Sequence, residues 1–217
     1  MDVAQAIKDR RSCRSFLDRP VERPLLEEVC GLAALAPSAI NLQPWLFTLL
    51  MKDELERLSR KLIKTFQERG LGCSAEVRAY LPDVYTQRQQ DIGNQMAPAI
   101  KATTHPWGDF INEGSLNFYG APAAFIISGE AALANDAQFD VGLATGYLIL
   151  ACQEKGLSTC PIGLVGRYSS VVQEFLNLDE GRPVILALAV GYADPEAPVN
   201  KVKTGRAPFG EVFRFYG

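Results

Sequence analysis

Several signatures of common catalytic machinery are missing from this sequence of 217 residues. Its only histidine, His105, precedes a proline in a loop-like stretch, which argues against a Ser-His-Asp or Cys-His site. None of its five cysteines forms a C-x-x-C pair, and both the G-x-G-x-x-G and Walker A motifs are absent. No carboxylate or His/Cys cluster suggests a metal. If the chain is an enzyme, an organic cofactor must therefore supply the chemistry.

The chain also lacks a strong net charge and a long apolar run. A net charge of -3 and a pI near 5.3 argue against a general nucleic-acid binder, which needs a basic surface. The most apolar stretch, residues 141–152, is too short to cross a bilayer. The odd cysteine number favours a reduced compartment, and the polar N-terminus does not resemble a signal peptide. We expect one domain, residues 1–217, in a cytoplasmic protein without membrane or nucleic-acid partners.

Hydrophobic periodicity predicts both helices and strands along the chain. The segment 184–192 is apolar on both faces, so we expect it to be a central strand of a sheet. Between residues 70 and 118 the pattern is irregular and predicts helical pieces joined by loops. The other predictions are a short helix capped by Asp2, helices beginning at Pro24 and covering 53–69, 139–155 and 168–176, and strands at 45–50 and 123–128.

Residues 193–217 form an unusual C-terminal segment with three prolines, three phenylalanines and no clear period. So long a structureless stretch is rare inside a compact domain, and a free tail would not collect so many aromatic residues. The predicted helix 139–155 is apolar on nearly every side and therefore needs burial all round. Both features favour an arm that packs across a second subunit of a homodimer.

Four segments carry candidate functional groups, and each has an ordinary structural alternative. Residues 10–14 hold three arginines and a serine that suit a phosphate group, or they form a solvated basic helix end. Residues 37–45 hold polar donors between two prolines, or they form a helix stop and a turn. Residues 160–166 expose a glycine backbone to a flat ligand, or they are an apolar connector. Lys203 and Arg206 complete one phosphate pocket with the first segment, or they lie in an exposed turn.

Taken together, these segments resemble the FMN-dependent nitroreductase family. The resemblance covers most of the chain and is clearest in R-R-S-x-R-x-F at residues 10–16, P-S-A-x-N-x-Q-P-W at 37–45 and P-I-G at 161–163. It continues in V-G-Y-x-D-P at 190–195 and in the basic G-R near the C-terminus. It implies an α+β fold: a central mixed, mostly antiparallel sheet flanked by helices, in an entwined homodimer that exchanges C-terminal arms and binds FMN at the interface.

The resemblance also implies roles for individual residues. Arg14 is expected beside N1 and O2 of the flavin ring, and the backbone N–H of Gly163 is expected at N5. No catalytic side chain is implied, since flavin N5 carries the chemistry. The phosphate and ribityl contacts implied are Arg10, Arg11, Ser12, Lys203 and Arg206. The partner subunit is expected to contribute Pro37, Ser38, Ala39 and Asn41, and the remaining ring contacts are Asn117, Pro161, Ile162 and Leu164.

Residues 70–118 correspond to the region in which family members vary and select substrates. Aromatic side chains there can stack on a flat substrate, and an arginine can meet a substrate carboxylate. The alternative for each is ordinary surface or core packing. The candidates on the substrate side are Tyr85, Arg88, Trp107 and Phe110.

We therefore expect an oxidoreductase with tightly bound FMN that takes hydride from NADH or NADPH and passes it to nitroaromatics, quinones or similar flat acceptors by a ping-pong mechanism. One alternative is a related flavoenzyme acting in reductive dehalogenation or reduction of activated C=C bonds. A second is a non-catalytic flavin-binding protein, because Ile162 stands where many relatives carry a glutamate. A thiol-redox protein using Cys13 and Cys160 is the last alternative.

Overall fold

The computed structural model describes residues 1–73, 81–103 and 106–217. Its central element is a four-stranded sheet with the order β1-β2-β4-β3, in which all neighbouring strands pair antiparallel. One isolated parallel bridge joins Ser12 to Thr159 at the outer edge of β3. The expected mostly antiparallel sheet is thereby confirmed. The strands are β1 (Leu46–Met51), β2 (Ala123–Ser128), β3 (Ser158–Ile162) and β4 (Val184–Gly191).

Helices cover both faces of the sheet. In β2, Ala124 and Ile126 face a core shared with α3 (Lys52–Arg69) and α7 (Ser169–Leu176). Phe125 and Ile127 point to the opposite core, shared with α2 (Arg23–Ala33) and α6 (Ala134–Glu154). Because side chains alternate along a strand, burial on both faces requires the unbroken apolar sequences seen in β2 and β4.

Most predicted elements are confirmed to within a few residues. The Asp2 carboxylate accepts the N–H of Gln5 at 2.7 Å and begins α1 (Val3–Asp9) as expected. Helix α6 begins five residues before the predicted start. The predictions missed β3, because Pro161 and the glycine after the strand are typical of a connector. Proline is tolerated here because β3 is the last strand of the sheet.

The segment between α3 and β2 contributes α4 (Asp83–Lys101) and α5 (Trp107–Leu116). Helix α4 packs its buried Met96 and Ile100 against Val199 in the C-terminal segment, which ties the predicted variable region to the end of the chain. The side chain of Trp107 and the whole of His105 lie outside the described residues. No helix in the described part of the chain combines the length and apolar character that a bilayer crossing requires.

After β4 the chain forms two short helices, α8 (Pro198–Lys201) and α9 (Phe209–Val212). The predicted arm is therefore not structureless, although its aromatic residues remain largely uncovered within one chain. Phe209 stacks on Phe213 with ring centroids 4.7 Å apart, and Phe215 and Tyr216 are both more exposed than either. Helix α6 likewise leaves Phe139 70% exposed, so a single chain does not supply the all-round burial that its sequence predicts.

Candidate functional site

A cavity of about 520 Å³ lies where the two ends of the chain meet. Its basic residues come from segments nearly 190 positions apart in the sequence. Three apolar residues, Ile7 of α1, Ile92 of α4 and Val202, also line it. The charged and polar residues that line it are Lys8, Arg10, Arg11, Ser12, Arg14, Lys203, Thr204 and Arg206.

No carboxylate in the described part of the chain neutralises the positive charge in this cavity. Among the described residues, none of the lining lysines and arginines forms an ion pair with a carboxylate. Arg206 instead donates to the Thr204 hydroxyl at 2.9 Å and to neighbouring carbonyl oxygens, which fixes its guanidinium at the rim. So many cations at close range repel one another, and an anion with several acceptor oxygens relieves that repulsion.

The arginine segment is anchored to the sheet at two successive points. The N–H of Cys13 donates to the Thr159 carbonyl at the outer edge of β3 at 2.8 Å. Further along the chain, the N–H of Leu17 donates to the carbonyl of Tyr192, the residue after β4, at 2.8 Å. These two backbone contacts explain how a segment with mutually repelling side chains keeps a fixed conformation.

A side chain from α8 adds further hydrogen bonds to the backbone of the arginine segment. The Asn200 amide oxygen accepts the backbone N–H of Arg14 at 2.8 Å. Its amide nitrogen donates to the Ser15 carbonyl at 2.7 Å and to the Asp194 carbonyl at 2.9 Å. Sequence reasoning missed Asn200, since an asparagine two residues after a proline is typical of turns and gives no hint of a contact 186 positions away.

Arg14 points from the cavity towards β3. Its guanidinium lies near the Tyr119 hydroxyl and the Cys160 thiol. Burial raises the pKa of the Tyr119 phenol, and the Ser115 hydroxyl and Arg14 partly oppose the rise. Phe118 and Tyr119 both adopt left-handed backbone, with φ of 56° and 54°, a costly conformation for non-glycine residues. Sequence reasoning missed Tyr119 as well.

Gly163 follows β3 directly and begins a helical turn. A Cβ built at this position would meet no atom within 4 Å, so the backbone is open to close approach. At about 3.3 Å per residue, Gly163 lies roughly 13 Å along the strand from Thr159, which pairs with Ser12. Gly163 lines a separate cavity together with Gly166, Arg167 and Val184. The arrangement suits an elongated ligand with an anionic end in the basic cavity and a flat end beside Gly163.

The family is decided by comparison with known proteins. A sequence model of the nitroreductase family matches residues 7–192. This chain belongs to the nitroreductase family. It is 31% identical to a 4-nitrobenzoate reductase of Pseudomonas putida, over 94% of this chain and 91% of that protein. It is also 31% identical to nitroreductase NfnB of Mycolicibacterium smegmatis, over 99% of this chain and 94% of the relative.

Solved structures agree with that assignment. The FMN-dependent nitroreductase NfnB from Mycobacterium smegmatis, in complex with NADPH, superposes with a TM-score of 0.88. The match covers 100% of both chains at 29% identity. An FMN- and NADPH-dependent nitroreductase NfnB from sphigopyxis sp. strain HMH gives a TM-score of 0.89 at 25% identity. This member of the nitroreductase family therefore shares the whole fold of these enzymes.

The loop at residues 37–43 does not reach the basic cavity of its own chain. It lies beside α6, where the buried Asp140 carboxylate accepts the N–H of Ala39 at 3.1 Å. The Ser38 hydroxyl accepts the N–H of Gln43 at 2.9 Å, which closes the loop on itself. Ile40 is 90% exposed with φ of 40°, and Asn41 is left-handed as well, while Pro37 is exposed beside them. A rigid, strained loop thus projects outward from the subunit.

The substrate-side candidates are divided between two places. Phe110 packs against Tyr119 with ring centroids 5.7 Å apart, on the Arg14 side. Arg88 instead pairs with Glu211 at 2.6 Å and lies over the Tyr85 ring, along a groove between α4 and the C-terminal segment. Its guanidinium already has a carboxylate partner, so a substrate carboxylate would have to displace Glu211.

The remaining ring candidates lie around Gly163 and at the end of α5. Ile162 and Leu164 are buried in the core, while Pro161 is exposed. Asn117 is exposed at the C-terminal end of α5, two residues before Tyr119. Only the backbone of Ile162 and Leu164 is therefore accessible to a ligand, which leaves their side chains a packing role.

The two cysteines near Arg14 are buried and poorly reactive. Burial raises the pKa of Cys13 to about 11 and that of Cys160 to about 11, although Arg14 partly opposes both shifts. At neutral pH both thiols are protonated, and a protonated thiol is a weak nucleophile. This chemistry does not favour the thiol-redox alternative.

Proposed function

We propose that this protein is an FMN-dependent NAD(P)H oxidoreductase that reduces nitroaromatic compounds and related flat, electron-poor acceptors. The observation that carries the proposal is the basic cavity that includes Arg14, together with the open backbone at Gly163 at the end of β3. The family assignment and the similarity to a 4-nitrobenzoate reductase support it.

The residues present fit FMN. A phosphate dianion needs several donors of positive charge, and the cavity offers arginines whose forked guanidiniums bind two oxygens at once. In this proposal Arg10, Arg11, Ser12, Lys203 and Arg206 hold the phosphate and ribityl chain. FMN, when bound, supplies two-electron redox chemistry between a nicotinamide and an acceptor.

The protein's own contribution is positioning and charge. Arg14 would place a cation beside the flavin ring, where it would favour the reduced, anionic form. The backbone N–H of Gly163 would be available to donate a hydrogen bond to the ring, because the glycine has no side chain to obstruct close approach. Tyr119 and Phe110 pack against each other on the Arg14 side of the site.

We also propose a homodimer in which each FMN lies between two subunits. The outward-facing loop at residues 37–43 does not line the cavity of its own chain, and the Asp140 carboxylate anchors it through the N–H of Ala39, as expected for a contact supplied to a partner. The exposed Phe139 and the aromatic C-terminal arm offer the apolar area that a stable dimer buries. Exchange of the arms belongs to this proposal.

The test begins with the purified protein. It is expected to be yellow, to elute as a dimer, and to lose its flavin absorbance under anaerobic NADH or NADPH. Added 4-nitrobenzoate, a quinone or an enone should then restore the absorbance at rates that rank the acceptor classes. A yellow protein that neither nicotinamide bleaches would support a non-catalytic flavoprotein, and a colourless monomer that ignores FMN would refute the proposal.

Arg14→Ala provides the residue-level test. The fold should survive, because Arg14 is held through its backbone N–H, which alanine retains. Flavin content or turnover should fall at least about tenfold, the effect of losing one charge-assisted contact. Arg60→Ala, on the exposed surface of α3, is the matched control and should leave both unchanged. Equal activity in the two variants would contradict the assigned role of Arg14.

A further inference from the structure

The basic cavity depends on two segments that meet only in the folded chain. Arg10, Arg11 and Arg14 precede the sheet, whereas Lys203 and Arg206 follow its last strand. Mutual repulsion tends to push these two groups of cations apart when no anion is bound. Some contact within the protein must therefore hold them at the separation that a single phosphate group requires.

Backbone contacts between residues 15–17 and 192–194 join the two segments, and the side chain that adds to them is that of Asn200. It makes three hydrogen bonds of 2.7–2.9 Å, one accepted from Arg14 and two donated to Ser15 and Asp194. Only an amide carries both the acceptor and the two donors that these backbone groups need. Asn200 itself belongs to α8, three residues before Lys203, so its position fixes the start of the basic C-terminal segment relative to Arg14.

We propose that Asn200 is a positioning residue that aligns the two halves of the phosphate cavity. It acts through the Arg14 backbone and the α8 turn, and it need not touch FMN. This inference rests on the proposed function, since it assumes that the cavity receives the FMN phosphate. It predicts that loss of Asn200 damages phosphate recognition more than it damages binding of the flavin ring.

The experiment compares FMN with riboflavin, which carries the same ring and ribityl chain without the phosphate. Apoprotein is titrated with each flavin. The Kd for riboflavin divided by the Kd for FMN measures recognition of the phosphate alone. In Asn200→Ala this ratio should shrink by roughly tenfold, the effect of several hydrogen bonds lost at once. General destabilisation of the protein would weaken the binding of both flavins equally and leave the ratio unchanged.

Asn200→Asp is the second variant and preserves the shape of the side chain. A carboxylate still accepts the N–H of Arg14, but it faces the Ser15 and Asp194 carbonyl oxygens without a proton to donate. Its ratio should shrink at least as much as that of the alanine variant. This variant keeps the test valid if Asn200→Ala does not fold.

Gln173→Ala is the matched control. The Gln173 amide also donates to three backbone carbonyls, at 3.2–3.3 Å, but it ties α7 to the turn before β4. Its loss should lower thermal stability without changing the ratio. If the wild-type protein prefers FMN and the ratio is unchanged in both Asn200 variants, the inference about Asn200 is wrong while the proposed function stands. Wild-type protein that binds neither flavin would overturn the proposed function instead.

Discussion

Replacement of Arg206 by glutamine tests the role of the basic cavity. We expect it to weaken FMN binding without lowering the thermal stability of the apoprotein. Among residues 1–73, 81–103 and 106–217, the Arg206 guanidinium donates only to Thr204 and to the Gly205 carbonyl, all within two positions along the chain. These bonds connect it to no distant element of that part of the fold. Its removal also relieves repulsion with the neighbouring cations. The midpoint of thermal unfolding of the apoprotein should therefore stay unchanged or rise slightly.

FMN affinity should fall in the same variant. A hydrogen bond to a charged group contributes about 1.5–3 kcal/mol, so at about 1.4 kcal/mol per factor of ten the Kd should rise roughly 10- to 150-fold. The loss should be smaller at high salt, because ions screen the attraction that Arg206 provides. Quenching of flavin fluorescence during titration of the apoprotein measures the Kd at each ionic strength.

Arg23→Gln is the control for this measurement. Arg23 is an exposed arginine on α2 whose partner is Glu27 at 2.7 Å, and it lies outside the cavity. Its loss should leave the Kd unchanged. If Arg206→Gln bound FMN within a factor of two of the wild type at low salt, the assignment of the cavity to the phosphate would be wrong.

Two further predictions concern stability. Gly114→Ala should lower the free energy of unfolding by about 1–3 kcal/mol, because its Cβ would lie 2.7 Å from the Tyr119 ring. Gly93→Ala in α4 meets nothing within 4 Å and should stabilise the helix by up to about 1 kcal/mol. Urea unfolding that ranked the two variants the other way would contradict the packing described. Burial raises the pKa of the Cys13 thiol from 9.0 to about 11. The thiol therefore ionises at lower pH in the unfolded chain than in the folded one. Its contribution to the free energy of unfolding is complete below pH 9 and is lost as pH rises towards 11. By pH 10 this costs about 1 kcal/mol, and Cys13→Ala should remove that part of the alkaline loss; identical pH profiles for wild type and variant would count against the buried thiol.

The sequence by itself determined the elements whose signal is local. Strands β2 and β4 are unbroken apolar runs, and α1 begins at a capping aspartate, so their positions follow from short-range chemistry. The sequence motifs around Arg14 and Gly163 are likewise sufficient to indicate the family. Strand β3 was missed because its pattern is interrupted by Pro161, which only an edge position in the finished sheet makes acceptable.

Only the tertiary structure decided how these groups meet. Arg14 and Arg206 share a cavity because pairing of the arginine segment with β3 and with the end of β4 brings the chain ends together, and no local pattern encodes a contact between residues so far apart. The same holds for Asn200, whose amide matches three backbone groups that exist in that geometry only after folding. Hydrophobic periodicity specifies which face of an element is buried, whereas the convergence of charged side chains depends on the path of the whole chain.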